Sequence, residues 1–443
     1  MQLLSSFPWV RRFALQFAFV SLALALIIPL SACGGSSSSG SSTSSGPITL
    51  TYWAWISSLP KQVALWNQTH PNIHVNLVNV GSGPTEYDKL FTAIKANNEP
   101  DVAEIEFQLL PTFETTGALV DLAPYGAASV QNQYVPYTWS QVQLGSSIYA
   151  IPQDTGPMAM FYRQDIFKKY NLPVPTTWAQ FADDAAKLHA ANPNIYITDF
   201  PPKQPGWFTG LEWQAGARPF NISGQSWKID LNSPQAQQVA AYWQDLINKK
   251  LVKTEPDFTN AWYHDLASGT LAAWFSGAWG AGTIEQNAPG TSGDWRVALL
   301  PQWQAGQAVS SNWGGSSTVV FKSSKHPKEA TEFAEWISDN EQSALTEFEG
   351  GAYPCLLSAL SSSTMNSPQP FFGNQVINTI FQKSASEVDT SFKWGPTIDQ
   401  VYNDMGDDFA NALNGQGTLV SQLNTLQQQT ITFMKSQGFS VTS

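Results

Sequence analysis

Residues 48–80, ITLTYWAWISSLPKQVALWNQTHPNIHVNLVNV, read as strand, helix and strand with almost no residues to spare between them. Ile48, Leu50 and Tyr52 alternate with Thr49, Thr51 and Trp53, the period of a strand. Pro60 suits a first helical position behind Ser57 and Ser58, Val63 and Trp66 supply an apolar stripe, and Pro71 stops the helix. Ile73, Val75 and Leu77 then resume the alternation. Strands joined through a helix are normally parallel, and in such sheets ligands lie beyond the carboxyl ends of the strands. Here that end is Trp53-Ala54-Trp55, which offers two rings for stacking, although core places would suit both equally well.

Going forward, Thr85 is a cap for a helix carrying Tyr87, Leu90, Phe91 and Ile94, and residues 101–107 are a third strand bearing Glu104 and Glu106. Two carboxylates at this spacing share one strand face; they are poorly placed to flank a scissile bond, so a solvated face or hydrogen bonding to hydroxyls is expected. Residues 147–152 read as one strand, and Gln153-Asp154-Thr155-Gly156-Pro157 turns the chain into a second lobe. There a strand at 158–162 and a helix at 178–191 behind Thr177 are expected. Residues 201–221, rich in Pro, Gly and Trp, suit a binding loop, which makes Trp207 a candidate. Strands at 295–300 and 318–322, a helix at 328–338 and a helical C-terminal part complete the chain.

Going backward, Arg11 and Arg12, an apolar run from 13 to 30 and Leu30-Ser31-Ala32-Cys33-Gly34 have the layout of a signal peptide. The last stretch resembles a bacterial lipobox, which implies a lipidated Cys33. Residues 34–47, mostly Ser and Gly, are a flexible tether. Cys355 would then be the last free thiol and is expected to be a buried small hydrophobe. The 443 residues favour two domains, and a net charge of −12 without basic runs argues against nucleic acid. The five histidines show no metal-ligand spacing, and no phosphate loop or nucleophile elbow occurs, so neither a cofactor nor a catalytic residue is expected.

Eighteen tryptophans stand in a chain only 13% charged. Trp and Tyr rings beside carboxylates and amides are what sugar recognition needs: an apolar face for ring C–H groups and acceptors for hydroxyls. Ser276-Gly277-Ala278-Trp279-Gly280 and Asn312-Trp313-Gly314-Gly315-Ser316 each set a tryptophan among glycines, where backbone can approach a ligand closely.

Tyr149-Ala150-Ile151-Pro152-Gln153-Asp154, Phe161-Tyr162-Arg163-Gln164-Asp165-Ile166-Phe167 and Pro175-Thr176-Thr177-Trp178 resemble, in that order, the family 1 extracellular solute-binding proteins. Ser276-Gly277-Ala278-Trp279, Leu300-Pro301, Gly314-Gly315 and Ser324-Lys325-His326-Pro327-Lys328-Glu329-Ala330 extend the resemblance over nearly the whole chain after the leader. These are the sugar-binding lipoproteins of ABC importers. The resemblance implies an α/β, two-lobed periplasmic-binding-protein-like fold, type II-like, with a hinge of crossing segments and the ligand in the cleft. The implied divisions are a leader at 1–33, the tether, lobe 1 at 48–154, lobe 2 at 155–305, a return to lobe 1 at 306–350, and 351–443 mostly in lobe 2. By position, Trp53, Glu106, Asp154, Trp279, Trp313, Gly315 and Tyr353 match places where the family contacts sugar; Trp55 and Trp207 join them from the reading above. The implied partners are a carbohydrate, the transmembrane subunits of an ABC permease and, through Cys33, the cell membrane, with the protein acting as a monomer. Cys355 departs from the family's more polar residue, and 207–213 match no family motif. A lipid-anchored glycosidase and an aromatic-rich adhesin are the alternatives.

Overall fold

A computed structural model of the protein describes residues 46–442; the leader, Cys33 and residues 34–45 of the tether lie outside the described residues. The alternation at the start of the chain does form a strand, β1 (Ile48–Trp53), whose Leu50 and Tyr52 are fully buried. The helix Leu59–Thr69 carries Pro60 in its first turn and buries Leu59, Val63 and Trp66. It returns the chain to β2 (Ile73–Val78), parallel to β1. The indole of Trp66 packs edge-on to Phe333 and Trp336 at 5.3 Å each, so this first βαβ unit is closed from outside by the helix Pro327–Asp339.

β3 (Val102–Glu106) lies parallel to β1 on the other side. The sheet order is β2-β1-β3, then β8 (Ser316–Val320), then β4 (Ala150–Pro152), with β8 antiparallel to both neighbours. The expected strand at 147–152 is thus two pieces: Ser147–Ile148 pairs with Gln143–Leu144 in a hairpin, and only Ala150–Pro152 enters the main sheet.

The second lobe holds a smaller sheet in which β5 (Met158–Arg163) is flanked by β6 (Ala273–Gly277) and β7 (Trp295–Leu299), both antiparallel to it. All six residues of β5 are buried. Helices cover this sheet, among them Trp178–Ala191, whose cap Thr177 accepts from the Gln180 amide. The stretch 201–221, expected as a binding loop, is a buried helix instead, Pro205–Gln214, followed by strand Phe220–Ser223. Proline fits there because it occupies the first turn, where its missing N–H breaks no helical bond.

Three segments run side by side between the two sheets. The Thr155 amide donates to the Tyr353 carbonyl, Cys355 N to Gln153 O, and Trp313 N to Gly156 O. The strand-like middle segment is therefore held on both edges. Asn312 ties it further: its Oδ1 accepts from Tyr137 Oη at 3.0 Å, Thr155 Oγ1 at 2.9 Å and Gly156 N at 2.9 Å. Cys355 is buried in this region, and burial pushes its thiol up. Among the described residues no helix is long and apolar enough to cross a membrane.

Candidate functional site

A cavity of about 650 Å³ opens between the lobes at the carboxyl end of β3. One wall comes from the first lobe through Tyr87, Phe91, Glu106 and Gln108; the other comes from the second lobe through Lys203, Gly206, Tyr402 and Asp407, with Trp313 at the crossing.

Glu106 ends β3 and accepts a 2.7 Å hydrogen bond from Tyr87 Oη. Burial raises its carboxyl pKa above the usual range, and the Tyr87 bond works against that rise. Tyr87 is itself set by rings, edge-on to Trp55 at 5.9 Å and to Phe113 at 5.8 Å. Trp55 thus reaches the cleft through Tyr87. Its position depends on Glu104, which is not on a solvated face: it is fully buried and accepts from Trp55 N at 2.9 Å, Ile56 N at 3.2 Å and Ser316 Oγ at 3.0 Å. Two carboxylates two residues apart therefore do unlike things. One pins the loop after β1 and the other faces the cleft.

Trp279 and Trp313 meet edge-on at 4.9 Å, and Trp279 Nε1 donates to Trp313 O at 2.8 Å. Glycine makes this approach possible, since a Cβ on Gly156 would lie 2.0 Å from Trp313 O and one on Gly277 would lie 2.5 Å from Trp279 Nε1. On the cleft side a Cβ on Gly206 would come within 2.9 Å of Trp313 Nε1. The indole edge is left uncovered for that reason.

The other candidates lie elsewhere. Trp53 is half-buried at the end of β1, paired with Val78 and Ala103. Asp154 Oδ1 accepts from Ser316 N at 2.7 Å, and burial raises its carboxyl to about 6. Gly315 has φ +96°, and a Cβ there would lie 2.9 Å from Asp154 O, so it serves the packing of the crossing. Trp207 is only 1% exposed, donates to Phe275 O at 3.1 Å and packs on Trp243 at 4.9 Å: a core residue of lobe 2. Tyr353 is buried, donates to Asn378 Oδ1 at 2.6 Å and borders a separate cavity of about 330 Å³.

Tyr87, Gln108, Lys203, Tyr402 and Asp407 were not anticipated. Asp399, Asn403 and Asp407 recur every four residues on the helix Ile398–Leu413, with Tyr402 and Gly406 on the same face, and all five line the cleft. That spacing was visible, but a polar helical face is usually a solvated one.

The profile described as "Bacterial extracellular solute-binding protein" matches residues 53–344, well over half of the chain. The chain belongs to that family. It is 25% identical over 338 residues to the arabinooligosaccharide-binding protein of Bacillus subtilis strain 168, covering 73% of this chain and 76% of the relative. Among solved structures it is 30% identical, with a TM-score of 0.80, to the ABC transporter associated binding protein of B. animalis subsp. lactis Bl-04 in complex with β-1,6-galactobiose. It is 28% identical, with a TM-score of 0.82, to the galacto-N-biose/lacto-N-biose I-binding protein of the ABC transporter from Bifidobacterium longum in complex with lacto-N-biose. Each comparison covers 90% of this chain and 100% of the other. The fold is accordingly the two-lobed α/β one. The family binds solutes outside the cytoplasm and does not convert them, so the glycosidase alternative falls.

Proposed function

We propose that this protein captures a short saccharide between its lobes and delivers it to the membrane subunits of an ABC importer. The observation that carries the reading is the composition of the cleft: an acceptor carboxylate in Glu106, an amide in Gln108, and Tyr87, Tyr402 and Trp313 rings on facing walls. Hydroxyls pair with the first two, and ring C–H groups lie on the last three. Trp279 supports Trp313 from beneath, and Trp55 supports Tyr87. A ligand touching both walls binds the closed form better and shifts the population toward it, with the segments around Asp154, Asn312 and Tyr353 acting as the hinge.

Thermal melts against galacto-oligosaccharides, lacto-N-biose and arabinooligosaccharides test the reading. A sugar at 100 times its Kd adds about 2.7 kcal/mol to stability. The sugar that raises Tm is expected also to reduce the radius of gyration in small-angle scattering. If no sugar shifts Tm, saccharide capture is wrong; if Tm shifts at constant radius, the hinge is wrong.

We also propose that a monomer is held at the outer membrane face through lipid on Cys33, since two or more acyl chains anchor firmly where one is marginal. The expected result for Cys33→Ala is precursor that incorporates no labelled lipid and accumulates unprocessed by the lipoprotein route. Labelled lipid on that variant would place the anchor elsewhere.

A further inference from the structure

The main cleft carries a charge imbalance that holding hydroxyls does not require. Asp88, Glu106, Asp399 and Asp407 border it, and among the described residues that do so the one basic side chain is Lys203. Lys203 is already engaged, since its ammonium donates to Asp407 Oδ1. Asp88, Glu106 and Asp399 form no salt bridge among the described residues. Lys89 follows Asp88 in the chain, but its ammonium donates to the Val80 carbonyl. One ion pair and three carboxylates without a basic partner therefore share this space.

Two of the three carboxylates are exposed, and they are placed alike. Asp88 follows Tyr87 in the helix Pro84–Ala96 of the first lobe, and Asp399 stands one turn before Tyr402 on the helix Ile398–Leu413 of the second. Each wall thus sets a carboxylate beside a tyrosine ring, and Trp313 adds a third ring at the crossing. A cleft lined by one sign of charge with walls of low dielectric concentrates the field between them, and closure around a ligand removes the water that weakens it.

Three kinds of saccharide can be compared in that field. A neutral one finds acceptors for its hydroxyls and gains nothing from the charge. An acidic one brings a carboxylate up to three others, with no free arginine or lysine to receive it, and like charges so placed repel. An amino sugar with its amine protonated answers the carboxylates, and its ammonium is attracted to the faces of the tyrosine and indole rings as well.

We propose that the cleft selects saccharides by charge, taking those with a protonated amine in preference to neutral ones and rejecting those with a carboxylate, and that Asp88 and Asp399 are the selecting residues. The inference rests on the carbohydrate reading of the cleft and adds the charge class of the substrate to it. Hydroxyl recognition stays with Glu106 and Gln108.

Isothermal titration of the full-length protein with β-1,6-galactobiose and with lactose is the test. Each is used in three forms: neutral, with one hydroxyl replaced by a free amine, and with one hydroxymethyl group oxidised to a carboxylate. At about pH 6.5 a sugar amine of ordinary basicity is protonated. At about 0.01 M salt, where the screening length is about 30 Å, the amine form is expected to bind roughly 3- to 10-fold more tightly than the neutral one and the carboxylate form roughly 10-fold more weakly. At about 1 M, where that length is about 3 Å, both ratios are expected to shrink, whereas a hydrogen bond lost with the replaced hydroxyl would stay lost. Asp88→Asn combined with Asp399→Asn keeps the shape of both side chains and removes two charges. The low-salt spread between amine and carboxylate forms is expected to narrow about 10-fold in it. Melting curves report whether that variant folds, and if it does not, the salt series on the native protein decides. Equal affinity for the three forms, or a spread that ignores salt, overturns charge selection and leaves saccharide capture standing. A salt-sensitive spread that persists in the double variant overturns the assignment to Asp88 and Asp399. Binding of none of the six sugars overturns the carbohydrate reading and this inference with it.

Discussion

Replacing Glu86 with Met is expected to stabilise the protein by about 2–4 kcal/mol at pH 8 and by much less near pH 5. Glu86 lies in the first turn of the helix Pro84–Ala96, is wholly buried, and among the described residues neither carboxylate oxygen has a hydrogen-bond partner. Burial raises its pKa from 4.5 to about 8, with Lys89 opposing the rise. The folded state therefore keeps a proton that the unfolded chain releases above about pH 4.5. Stability from this group is fully present below the unfolded pKa and falls as pH rises toward 8. Asp257, raised to about 8, and Asp199, raised to about 7, are shifted mainly by burial too and add slope of the same sign. Urea unfolding of native and Glu86→Met protein at both pH values measures the difference; an equal gain at pH 5 and pH 8 would mean that Glu86 is ionised in the folded state.

What the sequence disclosed about the fold was disclosed by periodicity and punctuation. β1 and β2 alternate cleanly, and the helix Trp178–Ala191 begins where Thr177 can cap it. The central strands resisted the same treatment. Val102, Ala103, Glu104 and Ile105 are all buried because helices cover both faces of the sheet, so alternation could not say which way Glu104 faces. The helix Pro205–Gln214 was hidden by its glycines. They act by absence of volume: a Cβ on Gly210 would lie 2.5 Å from Met158 Sδ, and Gly206 makes room for Trp313. Composition alone reads glycine as flexibility, and only the packed neighbours show that it is closeness.

The lining of the cleft was legible where a residue's place in a strand or among glycines constrained it, as for Glu106 and Trp313, whereas Trp279 stands behind Trp313 and does not border the cavity. It was illegible where one helix face had to be matched to a lobe far off in sequence, as for Tyr402 facing Tyr87. Tryptophan content pointed to stacking but could not apportion it. Trp66, Trp178, Trp207, Trp213, Trp243, Trp262, Trp274 and Trp295 are all fully buried, so eight of the eighteen tryptophans belong to the cores, seven of them to that of the second lobe.

Glu106→Gln is expected to weaken saccharide binding by about 10- to 100-fold, the range for losing hydrogen bonds to a charged acceptor, with little change in Tm. Glu106 ends its strand at the mouth of the cleft, half-buried, with Tyr87 donating to it and Gln108 also favouring its charged form, and it borders the cavity. Tyr87→Phe is expected to cost less, about 3- to 10-fold, because it removes only the bond that orients the carboxylate. Acidity separates these roles. Burial raises the Glu106 pKa, so the carboxylate is present above that value and is lost as pH falls through it. Affinity of the native protein should therefore decline on acidification, whereas the amide in Glu106→Gln does not titrate and its weaker affinity should stay flat. Titration calorimetry of both proteins between pH 4.5 and 8 reads this directly. Parallel pH profiles would show that the charge of Glu106 takes no part in holding the sugar, and the acceptor would then have to be sought at Gln108 or Asp407 on the facing walls.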